Sequence, residues 1–408
     1  MFVAEGLAAR SRRLPARKTI EKESKIMRMV LNETSYFGAG CRKEIKGELA
    51  RRGYKKAFVV SDRDLVKFGV AKMVTDELDE AGVAYVVFDE VKANPTIHNV
   101  QTGFGKFKAF APDVIIAIGG GSVIDTAKAI GIIATNPDFY DVRSLEGVAD
   151  TKHKAFPIMA FATTSGTAAE VTINYVITDE EAGRKLVCVD PHDIPVVAFN
   201  DAEMMTSMPK GLTAATGMDA LTHAIEGYIT KGAHALSDLL CWNSIKMIAE
   251  NLATATFDGK NAEAREGMAM GSYVAGMAFS NVGLGIVHSM AHPLGARYDI
   301  AHGVANALLL PFVMEYNMSA AMKKYGDIAR AMGVRTEGLT EEQAALAAID
   351  AVRTLSKAIG IPQRLGEIGI KEEQLPQLAA DALIDPCTGG NPKDVTVEDI
   401  LAIYKKAL

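Results

Sequence analysis

The chain has 408 residues, 49% hydrophobic and 23% charged, an ordinary globular balance with length for two domains. A net charge of −6 with no sustained Lys/Arg run argues against a nucleic-acid partner. No apolar run approaches the roughly 18 residues of a membrane span, and Ala307–Val313 is short and interrupted by Pro311. The four cysteines (Cys41, Cys188, Cys241, Cys387) are scattered without a Cys-x-x-Cys pair, which leaves neither a zinc ribbon nor a disulfide framework. Reduced thiols in a cytoplasmic enzyme are the expectation.

Residues 1–27 carry Arg10, Arg12, Arg13 and Arg17 but no apolar core, so they do not read as a signal peptide. They read as a flexible extension, either a transit peptide or a stretch upstream of a working start at Met27 or Met29. The next segment alternates strands with helices. Strands are expected at Ala57–Val60, Ala84–Phe88, Val114–Ile118, Pro157–Phe161, Val171–Thr178, Lys185–Val189 and Pro195–Asn200. Continuous apolar runs suit strands buried on both faces of a parallel sheet. A helix is expected over Lys67–Ala81, stopped by Gly82. This is a doubly wound α/β pattern.

Beyond about residue 208 the strand patterns vanish. Helices are expected at Leu212–Thr230, Leu236–Thr254, Ala262–Phe279, Ile286–Arg297, Val304–Met318, Ala321–Ala331, Glu341–Ile359 and Thr396–Leu408. The boundary falls at Ser207-Met208-Pro209, since Pro suits a helix start. The expected fold is an α/β dinucleotide-binding domain (28–207) followed by an all-α metal-binding domain (208–408).

Val114–Ile118 runs into Gly119-Gly120-Gly121-Ser122 and then a helix from about Val123. Glycines there let backbone N–H groups approach a pyrophosphate, and Ser122 is expected to cap the helix. The same glycines would also make a plain tight turn. G-x-G-x-x-G is absent. Asp62 follows strand Ala57–Val60, where a carboxylate would accept the ribose hydroxyls and repel a 2′-phosphate, favouring NAD over NADP. A helix cap is an equal reading of Asp62. Thr163-Thr164-Ser165-Gly166-Thr167 follows another strand, placing hydroxyls near phosphate or nicotinamide.

Only eight histidines occur, and His288, His292 and His302 lie close together. Asp219 and His223 sit four apart, on one face of a helix. Imidazoles with one carboxylate suit Fe(II) or Zn(II). Spacing leaves open which of His288, His292 and His302 are ligands. A nucleotide and a divalent metal together point to hydride transfer at a metal-polarised oxygen.

Five separated motifs carry a family resemblance. They are Gly119-Gly120-Gly121-Ser122-x-x-Asp125-x-x-Lys128, Thr163-Thr164-x-Gly166-Thr167, Gly217-Met218-Asp219-Ala220-Leu221-x-His223-Ala224-x-Glu226, His288-x-x-x-His292-Pro293-Leu294-Gly295 and His302-Gly303-x-x-Asn306. Together they resemble the iron-containing (group III) alcohol dehydrogenases, with a dehydroquinate synthase-like fold. The resemblance implies Asp219, His223, His288 and His302 as iron ligands, with zinc as an alternative. It makes His292 a non-ligand proton relay. It implies NAD contacts at Asp62, Asn94, Gly120, Gly121, Ser122, Thr163, Thr164, Thr167 and Lys185, and a substrate pocket at Asn174, Phe279 and Cys387.

Leu31-Asn32-Glu33-Thr34, Val171–Asp179, Val189–Pro195 and Cys387-Thr388-Gly389-Gly390-Asn391-Pro392 resemble members that act on short diols. They imply interconversion of lactaldehyde and 1,2-propanediol by a homodimer. A broader diol or alcohol range, including ethylene glycol, 1,3-propanediol and butanol, is the neighbouring alternative. A dehydroquinate synthase-like lyase is a remote one. Its phosphorylated acid substrate would need several cationic residues in the cleft, and Arg297 is the only Lys or Arg between His288 and His302. A non-catalytic metal-binding protein would need no phosphate loop.

Overall fold

The computed structural model describes residues 26–408, so the expected N-terminal extension lies outside the described residues except for Ile26 and Met27. The first half contains β1 (Thr34–Phe37), α1 (Ile45–Arg52), β2 (Lys56–Val60), α2 (Arg63–Lys67), α3 (Lys72–Glu80), β3 (Ala84–Phe88), α4 (Ile97–Phe110), β4 (Val114–Gly119), α5 (Gly121–Thr135), β5 (Ile158–Ala162), β6 (Asn174–Asp179), β7 (Arg184–Val189) and β8 (Val197–Asn200). Six of these strands form one sheet in the order β1-β8-β5-β4-β2-β3, and every pairing is parallel. Apolar clusters cover both faces, with Phe58, Ile115 and Ile130 on one and Val59, Ile116 and Phe161 on the other. Strand β4 is buried along its whole length, as its unbroken apolar sequence requires.

Chain order reverses between β2 and β4. The loops leaving these two strands open a crevice at the carboxyl edge of the sheet, where ligands of open α/β folds collect. Ser61 Oγ donates to the Ile118 carbonyl at 2.9 Å and ties the loop after β2 to the end of β4.

The second half is helical: α6 (Lys210–Ile229), α7 (Ala235–Phe257), α8 (Ala262–Val282), α9 (Ile286–Tyr298), α10 (His302–Ala331), α11 (Glu341–Ala358), α12 (Leu375–Leu383) and α13 (Val397–Ala407). These helices share one continuous core. Helix α6 runs through its middle, buried at every position from Gly217 to Ile229. Neighbours pack that closely because glycine leaves room: a Cβ at Gly217 would sit 2.2 Å from Leu252 Cδ1. No single helix among the described residues is long and apolar enough to cross a membrane.

The structure corrects several expectations. Lys67–Ala81 is not one helix: the chain breaks at Gly69 (φ 79°) between α2 and α3. Strands β6 and β7 do not join the main sheet. They pair antiparallel as a separate hairpin. Pro311 lies inside α10 without ending it, and the two helices expected over 304–331 meet at non-helical backbone at Ala321. Strand β1 escaped the reading because it is a short, half-buried edge strand. Ser122 does not cap α5. Gly120 occupies the cap position and no side chain bonds there, since the helix already begins at Gly121.

Candidate active site

Helix α6 brings Asp219 and His223 to one face, a single turn apart. His288 comes from the first turn of α9, and His302 is the first residue of α10. One donor atom from each of these four side chains lies within 4.8 Å of the others. Asp219, His223 and His288 are buried and His302 half-buried. Burial pushes the Asp219 carboxyl up to about 7 and holds all three imidazoles well below their ordinary value. Neutral imidazoles are the ligating form.

Two buried ring nitrogens, His223 Nδ1 and His288 Nε2, have no hydrogen-bond partner among the described residues. Buried polar atoms without partners are costly. A divalent cation among these donors would satisfy both nitrogens and stabilise the buried carboxylate. The donor set therefore fits Fe(II) or Zn(II) on observations of this molecule.

A second ring of side chains holds the first. Glu226, two turns along α6 from Asp219, lies 2.5 Å from His288 Nδ1 through Oε2 and accepts Val287 N–H at 2.7 Å through Oε1. Asn306 Nδ2 donates to Asp219 Oδ1 at 2.7 Å. Phe279 stacks flat on His223, with centroids 4.1 Å apart. Such contacts fix ligand orientation. Glu226 and Asn306 stand in the sequence motifs, but no role was read for them. The signal was the spacing, since 219, 223 and 226 share one helix face and 302 and 306 another.

His292 takes a different position. Its Nδ1 lies 2.7 Å from Asp385 Oδ2, and its ring stacks on His302 with centroids 5.5 Å apart. Asp385 and Cys387 form a separate donor group with it. Nothing in the spacing pointed to Asp385, which lies far along the chain. Burial raises the Cys387 thiol well above its ordinary value, so it is a neutral wall.

The cleft between sheet and helices has a volume of about 770 Å³, mouth included. Among the expected site residues it is lined by Asn94, Gly121, Ser122, Thr167, Asn174, Lys185, His223, Phe279, His288, His292, His302 and Cys387. Asn174 Oδ1 is buried there without a partner. Among the described residues, Lys185 is the only Lys or Arg lining it. Asp62, Gly120, Thr163, Thr164 and Asp219 are not part of this lining; Asp219 stands directly behind it, clustered with the three lining histidines His223, His288 and His302.

Gly120 and Gly121 pack against the threonine loop. A Cβ at Gly120 would meet Thr164 Oγ1 at 3.0 Å, and one at Gly121 would meet Thr167 Cγ2 at 2.8 Å. The glycines are thus required by close approach of two loops, whatever else binds there. Thr163 is buried, its N–H donating to the Gly119 carbonyl at 3.1 Å. Asp62 lies at the end of β2 and caps α2, accepting from Leu65 N–H at 2.8 Å. The cap uses one carboxylate oxygen.

A switch-point crevice, a glycine turn feeding a helix and a buried His/Asp cluster in one cleft define a metal- and dinucleotide-dependent oxidoreductase. Residues 32–202 match the model described as iron-containing alcohol dehydrogenase, and residues 213–408 the Fe-containing alcohol dehydrogenase family, C-terminal. The chain is 57% identical over 380 residues to lactaldehyde reductase of Escherichia coli (strain K12), covering 93% of this chain and 99% of that protein. A crystal structure of 1,3-propanediol oxidoreductase superposes with a TM-score of 0.92 at 42% identity, covering 94% of this chain and 100% of that one. Sulfoacetaldehyde reductase from Bifidobacterium kashiwanohense, solved in complex with NAD+, gives a TM-score of 0.83 at 29% identity, covering 94% and 99%. This chain belongs to the iron-containing alcohol dehydrogenase family. It is an oxidoreductase of an iron-containing family, and the Asp219, His223, His288 and His302 cluster is where its metal would be held.

Proposed function

We propose that the protein interconverts lactaldehyde and 1,2-propanediol by hydride exchange with NAD(H). The observation that carries the chemistry is the meeting of Asp219, His223, His288 and His302 in the cleft that the glycine turn also lines. The substrate is argued from identity to the E. coli lactaldehyde reductase and from one polar atom, Asn174 Oδ1, which is free to accept from a second hydroxyl. Iron supplies Lewis acidity toward the alcohol or aldehyde oxygen when bound.

The chain's own residues do the rest. Asp219, His223, His288 and His302 hold the metal, and Glu226 and Asn306 fix their orientation. Gly120, Gly121 and Ser122 admit the pyrophosphate, Asp62 offers its remaining oxygen to the ribose, and Thr163, Thr164, Thr167, Asn94 and Lys185 complete the cofactor's contacts. Asp385 holds His292 by Nδ1 and leaves Nε2 to pass the substrate's proton toward solvent. Phe279 and Cys387 wall the substrate and exclude water.

Two domains meeting near residue 207 are part of this reading, as the strands end at Asn200 and α6 begins at Lys210. A homodimer is supported by the open edge of β1, whose Phe37 is 42% exposed. Four free cysteines support a cytoplasmic setting. The lyase alternative finds one ammonium in the cleft where a phosphorylated acid needs several.

The test is anaerobic purification, removal of metal and reloading with Fe(II) or Zn(II), followed by NADH consumption with lactaldehyde, butanal and 3-hydroxypropanal. Iron-dependent turnover with the highest kcat/KM for lactaldehyde is expected. A preference for another aldehyde would overturn the substrate and keep the chemistry.

A further inference from the structure

Four non-glycine residues have positive φ among the described residues, and two of them are bonded to each other across the cleft. Asn94 (φ 53°) lies in the loop after β3. Asp299 (φ 52°) closes α9, three residues before His302. Left-handed backbone is unfavourable for any residue with a Cβ, though least so for Asn and Asp. Such outliers persist where surrounding contacts hold them, and they gather at functional sites.

The contacts here form a relay. Asn94 Nδ2 donates to Asp299 Oδ1 at 2.8 Å, and Asn94 Oδ1 accepts from Lys185 Nζ at 2.6 Å. A carboxamide can donate to a carboxylate at one end and accept from an ammonium at the other, so its two charged partners fix its orientation. Asn94 and Lys185 belong to the sheet half, Asp299 to the helical half. Gly295 of α9 completes the fit, because a Cβ there would stand 3.2 Å from Lys185 Cε. Burial brings the Lys185 ammonium down to about 8, so its place in the cleft is worth fixing.

We propose that Asp299 is a positioning residue: through Asn94 it fixes the Lys185 ammonium in the cleft and latches the sheet half against α9, giving the cofactor a preformed seat. This rests on the placement of NAD(H) in the cleft given above. The latch spans both halves, so it is complete only when they are closed on each other.

Two substitutions separate the bond from the backbone. Asp299→Asn keeps both the left-handed preference and an acceptor oxygen. Asp299→Gly keeps the backbone and removes the acceptor. On iron-loaded enzyme, the NADH Kd is read from cofactor fluorescence, alongside iron content and Tm. D299N is expected within about twofold of the parent. D299G is expected to weaken NADH roughly 3- to 10-fold, the effect of one lost hydrogen bond to a partly buried partner, with iron content unchanged. Asn94→Gly, which keeps the left-handed backbone, should weaken it at least as much, and the double variant D299G/N94G no further than N94G alone.

Additive losses in the double variant would overturn the relay. Parent-like NADH affinity in D299G, with weakened affinity in Lys185→Ala, would overturn the latch and leave the cofactor's placement standing. Parent-like affinity in K185A and N94G as well would overturn both. Weakened NADH with lost iron in D299G would make Asp299 a support for His302 and sink the latch.

Discussion

Glu226→Gln is the sharpest test of how this site holds its metal. Glu226 is 2% exposed, and its two oxygens face Val287 N–H at 2.7 Å and His288 Nδ1 at 2.5 Å, the ring nitrogen that carries the proton when Nε2 is left free to ligate the metal. A carboxylate accepts from both donors, whereas a carboxamide accepts from only one. In E226Q either Val287 N–H faces an NH2 group, or His288 does and turns. A turned ring moves Nε2, which lies 3.9 Å from Asp219 Oδ1 and has no partner of its own. Leaving one buried donor unpaired costs about 1–3 kcal/mol. Loss of such an orienting partner lowers metal affinity by roughly 10- to 100-fold. Competition between protein and a graded chelator, under argon and with metal analysis of the protein fraction, reads this directly. Circular dichroism checks the fold, and activity should return at high Fe(II). E226Q that keeps its iron at every chelator concentration the parent survives would refute the argument.

Gly121→Ala places a Cβ 2.8 Å from Thr167 Cγ2, so we expect about 1–3 kcal/mol of lost stability and a lower Tm, partly restored by adding Thr167→Ala. A parent-like Tm in G121A would show that Thr167 gives way freely. Asp62→Gly keeps a tolerable helix cap, at a cost of a few tenths of a kcal/mol, and removes the carboxylate. The ratio of kcat/KM for NADPH to that for NADH should rise at least about tenfold, and an unchanged ratio would leave Asp62 as a cap alone. Hydrogen bonds from Arg143 hold the Asp179 carboxyl below its usual range. That stability is present above the carboxylate's unfolded pKa and is lost as pH falls through the folded one. Asp179→Asn should therefore lower Tm at neutral pH, with parent and variant converging in acid, and a constant difference would count against the pair.

Much of the fold was legible because double burial writes itself as unbroken apolar runs, as in β4. Edge position hides a strand, as in β1, and a local glycine overrides a helical pattern, as at Gly69. The β6–β7 hairpin misled for a related reason: its apolar residues look like sheet strands, yet they pair with each other and, by single bridges, with Thr96 and Gly147, and not with the main sheet. Side chains on one helix face were readable from spacing, which is how Asp219 and His223 came together. Spacing could not part His288 from His292, one turn away on α9. Their difference is tertiary, since Glu226 faces one and Asp385 the other. Asp299 was invisible for the same reason, as its partner Asn94 lies on the other half of the molecule.

All four metal donors stand on helices of the second half: Asp219 and His223 on α6 and His302 on α10 lie at the two ends of a stretch of chain that includes α7 and α8, and His288 of α9 lies within it. An ion held by Asp219 and His302 therefore ties the ends of a long loop as well as serving chemistry, and unfolding must release it. By mass action, a ligand at a thousand times its dissociation constant adds about 4 kcal/mol to the native state. That is a large share of a typical protein's margin of roughly 5–15 kcal/mol. A cell short of iron would then hold less of this enzyme in folded form. Supply of the metal thus sets how long the protein lasts as well as how fast it works.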